Sequence, residues 1–401
     1  MGNEYPSLCS SQDCTACATC MQSCPKKAIK MLPDEKGFLY PYVDKDICIQ
    51  CHLCEKKCPI LNKERSLNAL PKIYACWHRN PIIRMKSSSG GAFSAIAEYV
   101  LALKGYVWGV AYTNELRLTY QYVDTMDALD ILRRSKYVQA EVGDTFIQIK
   151  KQLQQGKTVL FTGTSCHVRG LYAYLPKALC DNLITVDFIC HGVPSPKVFK
   201  RYIEWIEDRY EDKLIDFNFR DKRYGWDNGV LTVGRFSRIG EKKFVKKENS
   251  FFYGMLHDLF IRPCCHQCTS NGLRREADFT IADFWGIGRK EKFEYEAEKY
   301  KGVSLLALNS EKAYRIFNSL EEKLLCIQRS LEEAYTYNWN YRYSARINPQ
   351  TDFFWKKFSQ TNSWKDLLCF FRPTFEEQCK WIIKRYMGPI MANKLRKLFS
   401  R

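Results

Sequence analysis

The same cysteine spacing occurs twice near the start of this chain. The pattern C-x₂-C-x₂-C-x₃-C-P runs from Cys14 to Pro25 and again from Cys48 to Pro59. A [4Fe–4S] cluster needs four thiolates, and three cysteines at this spacing can come from one tight loop. The fourth cysteine of each run lies too far along to close the same loop, so we expect it to ligate the cluster of the other run. The two predicted ligand sets are Cys14, Cys17, Cys20 and Cys58, and Cys24, Cys48, Cys51 and Cys54.

This spacing is the one with which bacterial ferredoxins hold two clusters, and two other uses of cysteine fit it less well. A zinc site takes its ligands as two separated pairs rather than as three cysteines within seven residues. Disulfides belong to oxidising compartments, whereas the 19 cysteines are an odd number and the residues before Cys9 lack the basic and apolar regions of a signal peptide. We therefore expect a cytoplasmic protein that moves electrons.

The net charge of +18 indicates either an acidic partner or simply a basic, solvated surface. Nucleic acid, an anionic lipid surface and an anionic substrate are the acidic partners to consider. No apolar run reaches the ~18 residues of a membrane span. The segment Lys380–Arg401 has seven basic residues and no acidic one. We expect it to contact the inner membrane surface peripherally or to dock as a helix with a wet basic face.

The predicted fold class is α/β with α+β elements, in three parts. Residues 1–65 form the ferredoxin-like two-cluster domain, 70–300 a mixed, partly parallel sheet covered by helices, and 301–401 a helical, basic region. The predicted strands are Ala28–Leu32, Leu39–Val43, Tyr106–Tyr112, Thr158–Phe161, Leu183–Ile189 and Phe279–Asp283, with an antiparallel piece at Asp216–Phe219, Val230–Phe236 and Lys243–Val245. The predicted helices are Ala92–Leu103, Val142–Leu153 and Lys197–Tyr210, and another begins soon after Cys166.

Cysteines follow two of the predicted strands. Cys166 comes shortly after one apolar run and Cys190 directly after the next. Ligands gather at the carboxyl ends of parallel strands, so these two thiols would share an edge if the strands are neighbours. With a later C-x₂-C pair they would hold a third [4Fe–4S] cluster, and the four thiols are Cys166, Cys190, Cys265 and Cys268. The alternative is that Cys166 and Cys190 are buried small hydrophobic residues, as most free cysteines are.

The sequence Ser-Ser-Ser-Gly-Gly at residues 87–91 lies directly before a predicted helix. Serine hydroxyls, flexible glycine backbone and the free N–H groups of a helix start suit the phosphate of a cofactor. The alternative is an ordinary helix cap after a flexible turn. Neither a G-x-G-x-x-G after a strand nor a P-loop occurs in the sequence.

His191 is the candidate catalytic residue, because an imidazole beside Cys190 could take or donate a proton at a redox cofactor. The alternative is a structural histidine. Asp187, within an apolar strand, is expected as a buried, hydrogen-bonded support.

Seven segments follow the motif order of one family, and they are SSSGGAFSAIA, SKYVQA, VLFTGTSC, VDFICHGVPSPKV, FRDKRYGW, CCHQC and ADFTIADFWG. With them, roughly residues 70–290 resemble the coenzyme F420 hydrogenase/dehydrogenase beta subunit family. The resemblance implies that FAD lies beside a [4Fe–4S] cluster held by the third cysteine set. The FAD-binding residues that it implies are Ser88, Ser89, Gly90, Gly91, Lys136, Tyr137, Gln139, Thr164 and Asp283. Ala282 stands before Asp283 where the family commonly has glycine.

We therefore expect an iron–sulfur flavoprotein oxidoreductase that passes electrons between ferredoxin-type clusters and FAD. The resemblance suggests the deazaflavin coenzyme F420 as the small hydride donor or acceptor. Similar fused proteins occur in bacteria without F420, alongside surface-polysaccharide genes, so another substrate stays open. One alternative is a non-catalytic electron-transfer subunit that feeds a redox partner protein. A nucleic-acid-binding protein with structural clusters is a remote one, because aromatic and basic residues do not recur together at even spacing.

Overall fold

The structure, a computed structural model, describes residues 5–62, 64–223, 225–226 and 231–372. The predicted membrane-contacting or docking segment Lys380–Arg401 lies outside the described residues, and so does Val230 at the start of one predicted strand.

The strands, in chain order, are β1 (Ile29–Pro33), β2 (Leu39–Val43), β3 (Lys72–His78), β4 (Tyr106–Tyr112), β5 (Leu118–Val123), β6 (Val159–Thr162), β7 (Leu183–Phe188), β8 (Leu214–Asp221), β9 (Leu231–Phe236), β10 (Gly240–Phe244), β11 (Phe279–Asp283), β12 (Ser304–Leu308) and β13 (Leu324–Arg329). The α-helices are α1 (Thr19–Ser23), α2 (Leu53–Lys57), α3 (Pro81–Lys86), α4 (Ala92–Ala102), α5 (Thr145–Gln154), α6 (Ser165–Tyr174), α7 (Pro196–Tyr210), α8 (Ser250–Leu256), α9 (Glu311–Glu321), α10 (Leu331–Thr336), α11 (Thr351–Gln360) and α12 (Trp364–Leu367).

The N-terminal unit is two loop-and-helix copies joined by a β-hairpin. β1 and β2 pair antiparallel, close to where the sequence predicts them. Asp34 and Gly37 turn the chain between them. The Asp34 carboxylate accepts a hydrogen bond from Phe38 N at 2.7 Å, and Gly37 takes a φ of 86°, which glycine adopts without steric cost.

An eight-stranded sheet in the order β13-β3-β12-β11-β7-β6-β4-β5 forms the centre of the molecule. β4, β6, β7 and β11 run parallel to one another, and the other neighbours pair antiparallel. β6 shows why a continuously apolar sequence forms an inner strand. Val159, Leu160 and Phe161 are fully buried, and successive side chains pack into the cores on opposite faces of the sheet. The predicted α/β class with a mixed, partly parallel sheet is confirmed.

Helices cover both faces of this sheet. α4 and α9 contribute Val100 and Leu320 to the core on one side. α5 and α6 contribute Phe146 and Leu171 to the larger core on the other side. This cover makes the sheet a rigid support, and its strand ends carry the residues described below.

A second, three-stranded antiparallel sheet has the order β10-β9-β8 and matches the predicted antiparallel piece. Aromatic side chains join it to α7 and α8, with ring centroids 5.4 Å apart for Phe199 and Phe217 and 5.0 Å for Phe199 and Phe251. Arg220, near the end of β8, contacts Asp283 at the end of β11. The end of β8 in the smaller sheet therefore contacts the edge of the larger sheet.

The prediction of a helical region beyond Gly302 misses two strands. β12 lies between β11 and β3, and β13 lies outside β3, so the central sheet continues past residue 300 before the last helices. The cause is visible in Ser304–Leu308, where four consecutive apolar residues follow one serine. Periodicity alone cannot distinguish such a run from a buried helical segment.

Candidate iron–sulfur centres and flavin site

The two N-terminal cysteine runs fold into loops of the same backbone shape. Ala16 and Ala18 take φ values of 56° and 57°, and Gln50 and His52, at the equivalent positions, take 56° and 55°. A non-glycine residue enters this left-handed region at a cost of roughly 1–2 kcal/mol. Four such residues at equivalent places indicate that the loop shape serves a function.

The first crossed set comes together in the structure. Cys14, Cys17 and Cys58 are buried. Burial raises the pKa of the Cys20 thiol, and the nearby thiols of Cys17, Cys14 and Cys58 raise it further. Cys9, which lies outside the repeated spacing, contacts Cys14 and Cys58 as an additional thiol. The sequence spacing gives no signal for Cys9.

The second crossed set lines a cavity of about 330 Å³, and its members are Cys24, Cys48, Cys51 and Cys54. Cys54 is buried, whereas Cys51 is exposed to solvent. Ala28 N donates a hydrogen bond to Cys24 Sγ at 3.3 Å, and hydrogen bonds of this kind tune cluster sulfurs.

The third set lines a larger cavity of about 850 Å³, and its members are Cys166, Cys190, Cys265 and Cys268. Cys166 lies in the first turn of α6 after β6, and Cys190 follows β7. Because β6 and β7 are parallel neighbours, both thiols lie at one sheet edge. Gly192 N donates to Cys190 Sγ at 3.4 Å, and the Thr164 hydroxyl lies 3.1 Å from Cys166 Sγ. A cysteine that serves only as a small hydrophobic residue packs among apolar side chains, whereas Cys166 and Cys190 both have polar partners.

The short 3₁₀ turn Pro263–Gln267 brings Cys265 into this cavity. Gly192 permits the approach, because it takes a φ of 115° and a Cβ there would lie 2.7 Å from Ile261 Cγ2 and 3.3 Å from Cys265 Cβ. Cys264 lines the same cavity, and contact with the Cys265 thiol lowers its pKa. Cys264 is therefore an additional thiol beside the predicted set.

The chemistry of all three sets fits [4Fe–4S] clusters, since each supplies four thiols, which is the usual ligand set of these clusters. Among the described residues, no group of three or more His, Cys, Asp or Glu side chains is arranged to hold a single metal ion. The thiols of the second and third sets are spread around cavities instead.

Arg262 lies between the first and third sets. It is fully buried, its Nε donates to Cys14 O at 2.7 Å, and a terminal nitrogen donates to Gln139 Oε1 at 3.1 Å. It also lines the third-set cavity. Burial lowers its pKa, and the groups that most strongly raise it again are the thiol of Cys264 and the phenol of Tyr40. A buried cation is costly unless it is paired, and anionic, thiolate-ligated clusters on both sides would supply the missing negative charge.

Helix α6 connects the same two sets. Gly170 lies one turn after Cys166, which corresponds to roughly 6 Å along the axis. A Cβ at Gly170 would lie 2.7 Å from Cys17 Cβ, and Thr19 Oγ1 donates to Gly170 O at 3.0 Å. The first and third sets are therefore about one helical turn apart.

A second buried cation, Arg275, lines the third-set cavity from another side. It donates to Ser165 Oγ at 2.7 Å, and a terminal nitrogen lies 3.5 Å from an oxygen of Asp187. Asp187 also accepts a hydrogen bond from Thr280 Oγ1 at 2.6 Å. The carboxylate therefore has the buried, hydrogen-bonded position expected for it.

The predicted phosphate cradle lies at the start of α4 and comprises Ser88, Ser89, Gly90 and Gly91. Gly91 is the N-cap with a φ of 100°, and no side chain caps the helix. Ser88 Oγ accepts a hydrogen bond from Ser135 N at 2.8 Å and keeps its own proton to donate. The Ser89 hydroxyl instead donates to Val303 O at 2.9 Å. A phosphate at this place would thus meet the Ser88 hydroxyl and the helix N–H groups.

Lys136 and Tyr137 follow Ser135 on the loop beside the cradle. Burial, and then the charge of Arg134, lower the pKa of Lys136 to about 7. Its Nζ donates to Arg133 O at 2.7 Å. The Tyr137 hydroxyl contacts Arg220.

Asp283 is held from two directions. It forms an ion pair with Arg220, and it accepts a hydrogen bond from Trp226 Nε1 at 2.7 Å. Trp226 stacks on Trp285, with ring centroids 4.7 Å apart and planes at 10°. Arg220 thus links Tyr137 to Asp283. The sequence pattern predicts no role for Arg220 or Trp226, although both lie in the FRDKRYGW motif.

Lys222, from the same motif, joins this loop to the cradle. Its Nζ donates to Arg84 O at 2.6 Å, to Ser89 O, and to Lys301 O at 3.0 Å. Burial, and then the charge of Arg84, lower its pKa to about 7. Lys222 was also missed, because a lysine in a basic motif resembles a solvated surface residue.

The predicted flavin residues fall into two groups. Gln139 and Thr164 line the third-set cavity. The other group surrounds the cradle and the end of β11, and its members are Ser88, Ser89, Gly90, Gly91, Lys136, Tyr137 and Asp283. The loop from Ser135 to Gln139 joins the groups.

His191 lines the third-set cavity, and its Nε2 lies 2.9 Å from Asp258 Oδ1. Burial lowers the pKa of His191, but the contact with Asp258 outweighs burial and raises it. His167 lines the same cavity, and burial followed by the charge of Arg262 lowers its pKa to about 4. Of the two, His191 is the one whose surroundings favour the protonated form.

Two parts of the chain match known families. Residues 156–333, which contain the third cysteine set and strands β6 to β13, match the family described as the C terminus of the coenzyme F420 hydrogenase/dehydrogenase beta subunit. Residues 13–61, with both cysteine runs, match the family "4Fe-4S dicluster domain". The first of these matches agrees with the resemblance that the motifs indicate. The second match agrees with the two [4Fe–4S] clusters that the cysteine spacing predicts.

Two relatives illustrate these matches. Over 43 residues, or 11% of the chain, it is 42% identical to a ferredoxin from Alicyclobacillus acidocaldarius subsp. acidocaldarius. The chain spans 49% of that ferredoxin, about half its length. A chain of the xenon-derivatized F420-reducing [NiFe] hydrogenase complex from Methanosarcina barkeri superimposes with a TM-score of 0.45 and 14% identity, covering 68% of this chain and 86% of that one.

In the described part of the chain, no helix combines the length and apolar character that crossing a membrane requires.

Proposed function

We propose that this protein is an iron–sulfur flavoprotein oxidoreductase that passes electrons among two ferredoxin-type clusters, a third [4Fe–4S] cluster and FAD. The supporting observation is the cavity lined by the third cysteine set, directly beside the Cys14 loop. In this proposal residues 1–65 conduct electrons, and the sheet domain that begins near residue 70 and extends through β13 carries the flavin chemistry. Residues 301–401 then divide between that domain and a basic C-terminal region.

Cys166, Cys190, Cys265 and Cys268 would ligate the third cluster. FAD, when bound, exchanges a two-electron hydride for single electrons, which iron–sulfur clusters can carry. The phosphates of FAD would lie at the start of α4, near Ser88.

Cations near this place support phosphate binding. Lys136 and Lys222 both have pKa values lowered to about 7, so an anion beside them would favour their charged forms. Tyr137, Arg220 and Asp283 hold one another and would form a fixed wall of the flavin site. Gln139 and Thr164 would lie between the flavin and the third cluster.

His191 would hold or release the proton that accompanies reduction. Asp258 Oδ1 lies 2.9 Å from its Nε2, and the carboxylate favours the protonated form of the imidazole. Its place in the third-set cavity puts this proton beside the cysteines.

The small hydride donor or acceptor would be coenzyme F420 or another small molecule, such as an intermediate of surface-polysaccharide synthesis. A redox partner protein would exchange electrons at the ferredoxin end. Localisation in the cytoplasm, with peripheral contact at the inner membrane surface, belongs to the same proposal.

Anaerobic purification followed by iron, sulfide and flavin analysis tests the proposal. We expect about twelve iron atoms per chain, four for each cluster, together with one FAD released by acid. A folded, iron-replete sample without flavin would contradict the proposal. Bound FAD that no small molecule among F420, nicotinamides and sugar nucleotides can oxidise or reduce would instead indicate an electron-transfer subunit.

A further inference from the structure

We propose that the solvent-facing side of the second cluster site docks an acidic protein that carries single electrons. This second-cluster surface comprises Pro25, Lys26, Ile49 and Cys51, all of which are exposed and line the 330 Å³ cavity. The inference rests on the proposed function only in requiring that the clusters conduct electrons.

The burial of the cysteines indicates the direction in which the sites open. In the first set, Cys14, Cys17 and Cys58 are buried, and the Cys14 loop faces Arg262 and the third-set cavity. In the second set, Cys51 is exposed within the described part of the chain. Electron transfer weakens steeply with distance, so an external carrier gains the shortest path at an exposed ligand. Of the three cluster sites, the second is therefore the one that has a solvent-exposed cysteine and lies farthest from the sheet domain along the electron path.

The surface around Cys51 has the composition of a transient redox interface. Ile49 and Ile47 are 55% and 44% exposed and flank Cys48. Weak electron-transfer encounters bury small areas, below about 1,200 Å², which a few exposed apolar side chains can supply.

The positive charge of the second-cluster surface favours an acidic partner protein. The residues that line the cavity include Lys26 and no carboxylate. Of the nearby acids, Glu55 is engaged by the ring of His52 at 2.5 Å and by Ser7 N at 2.5 Å. Asp46 is exposed three residues before Ile49, next in sequence to the exposed Lys45. The whole chain carries a net charge of +18. Long-range attraction of this sign raises the association rate of acidic partners.

Stopped-flow reduction of the anaerobic full-length protein tests this inference. The probe is a reduced, acidic two-cluster ferredoxin, and dithionite serves as a small reductant that needs no docking surface. The variants are Lys26→Glu and Ile49→Glu. The matched controls are Lys157→Glu and Ile347→Glu, at exposed positions outside the ferredoxin unit.

We expect Lys26→Glu to lower the second-order rate with ferredoxin on the order of tenfold at low salt, with a smaller effect at high salt. Ile49→Glu should lower the rate at both salt concentrations. The controls should react like the wild type, and dithionite should reduce every variant within about twofold of the wild-type rate.

Equal ferredoxin rates in Lys26→Glu, Ile49→Glu and the controls would overturn the docking surface while leaving the proposed function intact. A change of oligomeric state in Lys26→Glu would also overturn it, because the surface would then join two copies of this chain. Failure of dithionite to reduce the wild-type protein would instead count against the proposed function itself.

Discussion

The Arg262 guanidinium donates a hydrogen bond from Nε to the backbone oxygen of Cys14 at 2.7 Å. Cys14 belongs to the first predicted ligand set, and Arg262 also lines the cavity of the third. One fully buried positive charge therefore lies between two sets of four thiols. This arrangement links the electron-conducting N-terminal unit to the sheet domain, and it leads to the first prediction.

Replacing Arg262 with glutamine should make the nearby clusters harder to reduce. Reduction adds negative charge, which the buried cation stabilises, so its loss lowers both midpoint potentials. A tenfold shift in a one-electron equilibrium corresponds to about 59 mV, and we expect a shift of this order. Potentiometric titration followed by electron paramagnetic resonance measures it. Arg117→Gln, on the surface at 58% exposure, is the control; equal potentials in both variants would show that Arg262 has only a packing role.

Replacing Gly170 with alanine should destabilise the protein, although alanine favours helices over glycine by about 1 kcal/mol. The new Cβ would lie 2.7 Å from Cys17 Cβ and 2.9 Å from Thr19 Oγ1. Overpacking of this kind costs about 1–3 kcal/mol, and here it also displaces the first cluster loop.

Anaerobic thermal unfolding and iron content check the Gly170 prediction. Gly109→Ala is the matched control, since a Cβ at Gly109 meets Leu132 at an ordinary 3.5 Å. The variant Gly170→Ala should unfold several degrees lower than this control and retain less iron. Equal midpoints would mean that α6 and the Cys17 loop do not pack as described.

Lys222 should make stability depend on pH above neutrality. Its pKa is about 7 in the folded protein against an ordinary 10.5. Between these values the unfolded chain binds a proton that the folded chain does not, so the free energy of unfolding rises with pH by about 1.4 kcal/mol per unit. Below pH 7 the cost of burying the charged amine is fully present.

The variant Lys222→Met should lose the part of this pH dependence that Lys222 causes and keep the similar part that Lys136 causes. Anaerobic urea midpoints of the flavin-free protein at pH 7.5 and 9.0 measure the difference, because a bound phosphate would favour the charged lysine. Lys157→Met is the exposed control. A variant whose midpoint rises with pH as steeply as that of the wild type would refute the role assigned to Lys222.

The parts of the fold that could be predicted depend on local patterns. The repeated cysteine spacing defines two loops whose equivalent residues share one backbone shape, and apolar runs such as Leu183–Ile189 are typical of strands buried on both faces. β12 was missed because Ser304–Leu308 is short and, after its first residue, apolar throughout, which suits either a strand or a buried helix.

The parts of the site that could not be predicted depend on contacts between distant segments. Arg262 meets Cys14 across 248 residues, and Arg220 meets Asp283 across 63. No spacing rule relates such pairs. The third cysteine set could be predicted in part. Its position at strand ends follows from the sequence, but only the structure shows that β6 and β7 are parallel neighbours and bring Cys166 and Cys190 to one edge.

Two adjacent cysteines provide the sharpest test of a third [4Fe–4S] cluster at the edge of the sheet. Iron per chain should be compared in anaerobically purified Cys265→Ser and Cys264→Ser, two variants of neighbouring thiols in the same cavity. Cys265→Ser should lose about four of twelve irons and one electron paramagnetic resonance signal on reduction. Cys264→Ser should keep both. Full iron content and unchanged signals in Cys265→Ser would contradict the third cluster as assigned.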